Sequence, residues 1–248
     1  MFKITLLSLL FLVAWAPVNA QDNHIRVPDE VDGAVDTYWE VIISGLLTCD
    51  TPDVCELHNR VAEDTYLGSL ISGALTKGQD PAQALGMSQA EFDAEFERIR
   101  HGNAIWLQNR IARTGWFDIE SSGEDADDMA FLILQHSDFD VQFQKNALVL
   151  LKELLAEDKT NPQNVAYLTD RVAWADGTPQ TYGTQGSCTA PKTWEPIEIL
   201  DVANVDARRA MLGWGLWKNM QRVLAFVAHD QRRVSITPWG IAAIAEDG

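Results

Sequence analysis

The sequence predicts an all-α protein, a single helical domain of about seven helices with a long ordered loop near 178–204. Three observations lead to this prediction. Apolar residues recur at helical spacing nearly throughout, several helix starts carry capping residues, and no internal repeat breaks the pattern. We divide the chain into a signal peptide at 1–20, an N-terminal helical pair and linker at 21–86, a main helical domain at 87–230 and a tail at 231–248.

Residues 1–20 are typical of a secretory signal peptide. Lys3 supplies the positive charge, Ile4 to Trp15 form a short apolar segment, and Val18 and Ala20 fit the small-residue cleavage pattern. The apolar segment is shorter than the ~20 residues that span a bilayer, which disfavours an uncleaved anchor. We therefore expect a soluble periplasmic or secreted protein with no membrane insertion after signal cleavage.

The charge and the cysteines restrict the function further. The chain has a formal net charge of −17, and such an acidic surface repels phosphate backbones, so we expect no nucleic-acid partner. In an oxidising compartment, Cys49 and Cys55 are natural disulfide partners across a segment of turn formers. Cys188 would then stay unpaired. A structural or buried thiol is the commoner role for such a residue, and a catalytic thiol is the alternative.

The N-terminal elements follow from apolar spacing. A first helix is indicated by Val35, Trp39, Ile42 and Leu46, and a less regular second helix by Leu57, Val61, Leu67, Leu70, Ile71 and Leu75. After a linker at 77–86, Ser88 and Glu91 have capping-box spacing and begin a long helix that ends near Gly115.

Three more helices follow a polar connection at 118–124. Their faces are marked by Met129, Leu132, Ile133 and His136, then by Asp140, Gln144, Leu148, Leu151 and Leu155. Asn161 followed by Pro162 begins the third, and Gly177 is placed to cap its end.

The C-terminal part is less regular. The segment 178–204 contains three prolines and has no clear periodicity, and a loop of this length is usually functional or disordered. Asp206 can cap a helix that carries Arg208 and Arg209, and an amphipathic helix is predicted at 216–227. Residues 234–237 alternate like a strand, although no partner strand is recognisable.

His136 is the first candidate for chemistry because it closes an apolar helix face. It could serve as a general base, a ligand or a buried hydrogen-bonding group. Asp170 could orient it, as a carboxylate orients imidazole in catalytic dyads, or could pair with Arg208 or Arg209. Arg171 would anchor an anionic substrate group. We predict catalytic roles for His136, Asp170 and Arg171.

A metal site is the weaker alternative. His136, Asp138 and Asp140 are three potential ligands in one turn, but Ser137 and Asp140 also fit a capping box. The sequence has no zinc motif and no calcium loop with the correct spacing. We therefore predict no bound metal and no cofactor.

Further polar residues lie where a helical protein usually carries apolar ones. Gln144, on an apolar stripe, could fix a loop backbone or bind a ligand amide. Gln180, Tyr182 and Gln185 could form a structural lid or contact a ligand. We predict ligand-binding roles for Asn103, Asp140, Gln144, Gln180, Tyr182, Gln185 and Arg208.

Several of these residues belong to motifs that resemble a bacterial family of unknown function. The motifs are Asn103 to Leu107, Gly115-Trp116, Gln135 to Gln144, Tyr167 to Val172, Gln180 to Gln185, and Val205 to Gly213. At one position the family tends to a second histidine where this chain has Phe139, which weakens a two-histidine metal site. The resemblance implies one domain across this region and implies no particular reaction.

Two functions remain open at this point. The first is a hydrolase-type acid–base enzyme with a polar pocket for an unknown small-molecule or peptide-like ligand. The second is a non-catalytic binding or interaction protein of the cell envelope, whose polar cluster is structural.

Overall fold

The computed structural model describes residues 49–190, 193–215, 235–237 and 240–242. The predicted signal peptide, the predicted first helix and the predicted helix at 216–227 lie outside the described residues, as does the side chain of Cys188.

The all-α prediction is confirmed. The described residues contain the helices α1 Pro52–Thr76, α2 Pro81–Ala84, α3 Gln89–Thr114, α4 Ile119–Ser122, α5 Glu124–Gln135, α6 Val141–Leu155, α7 Pro162–Ala175 and α8 Val205–Ala210. The two four-residue helices α2 and α4 lie in segments that the sequence predicted as a linker and a polar connection. They were missed because one turn is too short to show an apolar stripe.

Capping residues explain most helix starts. Ser88 and Glu91 form the predicted capping box at α3, and Asn161 caps α7 with Pro162 at its first position. The prediction that Asp206 caps a helix is wrong. Asp206 lies in the first turn of α8, where its charge favours the helix dipole, and Asn204 occupies the N-cap position.

The predicted long loop contains a β-hairpin. Strands β1 Gly186–Ala190 and β2 Thr193–Pro196 are antiparallel, and a 3-10 helix follows at Val202–Asn204. The hairpin was missed because strands this short, with glycine and proline at their ends, show no clear alternation. Near the C-terminus, β3 Ser235–Thr237 pairs with β4 Gly240–Ala242, which is the partner that the sequence did not reveal.

The five long helices share one hydrophobic core. Its largest fully buried members come from α1, α3, α5, α6, α7 and the α3–α4 connection, and include Leu57, Leu107, Phe117, Leu134, Leu151 and Leu168. No helix within the described residues is both long and apolar enough to cross a membrane.

The predicted disulfide between Cys49 and Cys55 is present, with the two Cα atoms 5.1 Å apart. Thr51 caps α1 and Pro52 begins it, so the first turn of the helix brings Cys55 back beside Cys49.

Candidate functional site

The turn between α5 and α6, residues 136–140, is the centre of the candidate site. His136 caps the C-terminus of α5. Asp140 caps the N-terminus of α6 and accepts a 2.9 Å hydrogen bond from the amide of Phe143. The capping box predicted from Ser137 and Asp140 does not form. The buried hydroxyl of Ser137 instead donates to the carbonyl of Ile133 over 2.8 Å. With both helix ends closed, the turn holds its remaining side chains against α1, α3 and α7.

Asp64 on α1 is the carboxylate that orients His136. Its Oδ2 lies 2.6 Å from Nδ1 of His136, and its Oδ1 lies 2.6 Å from Nε of Arg100 on α3. The Asp64 side chain is 1% exposed, whereas that of His136 is 13% exposed. Asp64 rather than Asp170 therefore supports the imidazole, and a buried Arg100–Asp64–His136 chain reaches towards the surface.

The electrostatics of the Arg100–Asp64–His136 cluster favour a neutral imidazole. Burial lowers the pKa of His136 below its ordinary value of 6.5; the carboxylate of Asp64 opposes this shift, and the positive charges of Arg100 and Arg171 add to it. A neutral ring that donates from Nδ1 to Asp64 carries its lone pair on Nε2.

The second ring nitrogen of His136, Nε2, takes no part in the contact with Asp64. Among the described residues, none forms a hydrogen bond with Nε2. The His136 side chain as a whole is 13% exposed. The lone pair of the neutral ring is therefore not taken up by a donor within the part of the chain that the structure describes.

Asp138 and Arg171 form a second ion pair beside His136. Nε and Nη2 of Arg171 lie 2.5 and 2.8 Å from the two carboxylate oxygens of Asp138. Gln144 donates to the same carboxylate over 3.1 Å and to the carbonyl of Leu134 over 3.2 Å. Burial raises the pKa of Asp138, but the hydrogen bond and charge of Arg171 outweigh it, and the net pKa is below the ordinary value.

Arg171 and Gln144 therefore hold the turn in place. Of the two roles predicted for Gln144, fixing the loop backbone is the one that its contacts support. Arg171, predicted as an anchor for substrate, already makes a two-pronged contact with Asp138, so an anionic substrate group would have to displace that carboxylate.

Asp170, the neighbour of Arg171, points elsewhere and organises the loop after α7. Its carboxylate accepts hydrogen bonds from the amides of Thr181, Tyr182 and Thr184 at 2.7 to 3.1 Å, and from the Thr184 hydroxyl at 2.9 Å. Burial raises the pKa of Asp170, and these hydrogen bonds oppose that shift. Asp170 is fully buried. It therefore serves the loop rather than His136.

The predicted ligand residues of this loop are likewise engaged internally. Gln180 donates to the carbonyls of Gln185 and Ile197, each at 2.8 Å, and accepts from the amide of Gln185 at 2.8 Å. Nε of Arg208 donates to the carbonyl of Thr181 over 2.8 Å. The ring of Tyr182 meets Trp214 edge-on with centroids 6.2 Å apart. Of the two roles predicted for this loop, these contacts favour the structural lid.

Asn103 lies apart from both groups, whereas Asp140 ends the turn at 136–140 and contacts α3. Asn103 is buried between α1 and α3, where its Oδ1 accepts from Nη1 of Arg60 over 3.2 Å. Asp140 accepts a second hydrogen bond, of 2.9 Å, from Gln108. The predicted residues thus do not line one pocket; they divide among the turn at 136–140, the α7 loop and a helix interface.

The predicted residue set missed the two side chains that matter most to His136. Asp64 follows Leu57 and Val61 at helical spacing on α1, and Arg100 lies between Phe96 and Asn103 on the inward face of α3. Charged residues on apolar stripes were the available signal, since such groups are buried only when they are paired.

The described residues contain no group of three or more histidine, cysteine or acidic side chains placed to hold a metal ion. In the motif His136-x-Asp138-x-Asp140, each side chain has another partner. His136 contacts Asp64, Asp138 contacts Arg171, and Asp140 contacts Gln108.

The fold and this site define a helical domain in which a carboxylate on α1 contacts a histidine in an interhelical turn. Residues 77–229 match the model of a family described as "Family of unknown function (DUF6624)", and the chain belongs to that family. This confirms the resemblance noted from the motifs and extends it in both directions. No curated protein and no solved structure gave a significant match.

Proposed function

We propose that this protein is an acid–base enzyme in which His136 transfers the proton, and that it hydrolyses a small or peptide-like ligand outside the cytosol. The observation that carries the proposal is the 2.6 Å contact between Asp64 and Nδ1 of His136, whose side chain is 13% exposed. A neutral histidine held in one tautomer is suited to general-base chemistry near neutral pH.

In this reaction Nε2 of His136 takes a proton from a water molecule as that water attacks the substrate. Asp64 stabilises the imidazolium that forms, and the proton then passes from Nε2 to the leaving group. Proton transfer by a positioned side chain typically contributes about 10²- to 10⁴-fold to the rate.

Arg100 is a positioning residue in this proposal. Its Nε lies 2.6 Å from Oδ1 of Asp64, so Arg100 holds that carboxylate from one side and leaves Oδ2 for His136. The Asp138–Arg171 pair fixes the turn that carries His136, which replaces our earlier prediction that Arg171 or Arg208 binds the substrate.

The location outside the cytosol rests on two supports. The Cys49–Cys55 disulfide is typical of oxidising compartments, and residues 1–20 have the pattern of a secretory signal peptide. Expression of the full chain with a C-terminal tag, followed by fractionation and N-terminal sequencing, tests this part. A protein that stays in the cytosol with residue 1 intact would contradict it.

The chemistry is tested by comparing two histidine variants. His136→Gln should abolish turnover of whichever fluorogenic ester, peptide or phosphoester substrate the wild-type protein cleaves, with a loss of about 100-fold or more. His101→Gln is the matched control, because the His101 ring packs at a tilt on Phe139 with centroids 3.8 Å apart, whereas the Asp64 carboxylate contacts His136 and Arg100. Full activity in a folded His136→Gln variant, checked by circular dichroism, would contradict the proposal.

A further inference from the structure

A groove between α3 and α6 lies outside the proposed catalytic pair. It encloses about 440 Å³, within the usual range for ligand-binding cavities. Its apolar lining comes from Ile111, Ala112, Phe143, Ala147 and Leu150, and its polar lining from Gln108, Asp140, Gln142 and Asn146. We call this feature the α3–α6 groove.

Three large apolar side chains close in sequence to the groove residues are exposed. Ile105, Val149 and Phe139 are 59%, 62% and 47% exposed. Ile105 precedes Gln108 by three positions and Val149 follows Asn146 by three, so each shares a helix face with a residue that lines the groove. Exposed apolar side chains that extend a cavity are typical of interaction surfaces.

The polar groups of the groove restrict the charge of an occupant. Asp140 is the only charged side chain among its lining residues, and the chain as a whole has a net charge of −17. The amide groups of Gln142 and Asn146 already bond to one another over 2.9 Å. An anionic ligand would be repelled, whereas a positive group placed at Asp140 would be attracted.

We infer that the α3–α6 groove binds an amphipathic helical segment of a partner protein, which buries apolar side chains in the groove and pairs one lysine or arginine with Asp140. The groove follows α6 from Gln142 to Leu150, a length of about 12 Å or two helical turns. A small molecule could fill the cavity but would leave Ile105 and Val149 exposed, whereas a helix lying along the groove covers both.

This binding surface goes beyond the acid–base reaction. Asp140 contacts Gln108 and the first turn of α6, whereas His136 contacts Asp64 on α1. A variant that blocks the groove should therefore leave the His136–Asp64 pair intact.

The probe is a fluorescein-labelled helical peptide of about 12 residues with leucines at i, i+3, i+4 and i+7 spacing and one central lysine. Fluorescence anisotropy measures its binding to the full chain. The matched peptide carries glutamate in place of the lysine, and we expect it to bind about fivefold more weakly at low salt, a difference that should shrink as salt is raised.

The protein variants are Ala112→Trp and its control Ala94→Trp. Both alanines are exposed on α3, but only Ala112 lines the groove. Ala112→Trp should weaken peptide binding about tenfold or more because the indole occupies the groove, and Ala94→Trp should leave it unchanged.

Three results would overturn the inference. These are the absence of peptide binding at millimolar concentration, equal binding by the two tryptophan variants, and equal binding of the lysine and glutamate peptides. A wild-type dimer in sedimentation that Ala112→Trp converts to monomer would instead identify a second copy of this chain as the occupant, and would likewise contradict a separate partner.

Discussion

Replacing Asp170 by asparagine tests how the loop after α7 is held to the domain. The fully buried carboxylate accepts hydrogen bonds from three backbone amides and one hydroxyl, and has no contact with water to compensate for their loss. Asparagine has nearly the same shape, so the change removes the charge and one acceptor without creating a cavity.

The magnitude follows from counting acceptors. The new Nδ2 group is least costly at the position of Oδ2, where the hydroxyl of Thr184 can rotate to accept from it. The amide of Thr184 then loses its acceptor, at about 1–3 kcal/mol for a buried unsatisfied donor. The bonds to Thr181 and Tyr182 become neutral and weaker, but the substitution also removes the burial cost of the charge, which raises the pKa of Asp170. We therefore expect Asp170→Asn to lower the free energy of unfolding by about 1–3 kcal/mol, the cost of the unsatisfied Thr184 amide.

Urea denaturation followed by circular dichroism measures this loss, and amide hydrogen exchange locates it. Exchange should accelerate most at Thr181, Tyr182 and Thr184. Asp80→Asn is the matched control, because exposed Asp80 caps α2 through the amide of Gln83 and asparagine caps helices equally well. If Asp170→Asn costs no more than Asp80→Asn, or if exchange in the loop is unchanged, the carboxylate does not anchor the loop.

Two further predictions concern pH and packing. Burial lowers the pKa of His136, so below pH 6.5 the unfolded chain binds a proton more readily than the folded protein does. Acidification should therefore lower the free energy of unfolding measured in urea titrations. The decrease should be smaller in His136→Gln. An equal loss in both proteins would contradict a depressed pKa. Gly186→Ala should lower the free energy of unfolding by about 1–3 kcal/mol, since a Cβ there would overlap the carbonyl of Glu195 and the ring of Trp194. The control is Gly73→Ala, which lies in α1 with open space around it and should raise the free energy of unfolding by up to about 1 kcal/mol. If Gly186→Ala is equally harmless, the hairpin adapts to the added Cβ and the reasoning is contradicted.

The helices could be predicted because their signals are local. The Ser88–Glu91 box and the Asn161-Pro162 pair place the starts of α3 and α7, and an interaction three residues away is visible in any single sequence. The β-hairpin could not be predicted in the same way, because β1 and β2 are stabilised by pairing with each other rather than by their own residues.

The candidate site was predictable only in part. His136, Asp138 and Gln144 are unusual polar residues in one motif, and the structure places all three in or against the turn at 136–140. Asp170 was grouped with them because a carboxylate can orient an imidazole. On a helix, however, adjacent residues point about 100° apart, so Arg171 reaches the turn while Asp170 reaches the α7 loop.

The sequence by itself determined the all-α class, the principal helix starts, the Cys49–Cys55 partnership and the family, since each depends on composition or on contacts within a few residues. Tertiary structure alone decided that Asp64 supports His136, across 72 positions of the chain. It also decided that α3 and α6 leave a groove between them. Contacts of this kind depend on how helices pack around a common core, and helix periodicity shows which face is buried but not which partner it meets.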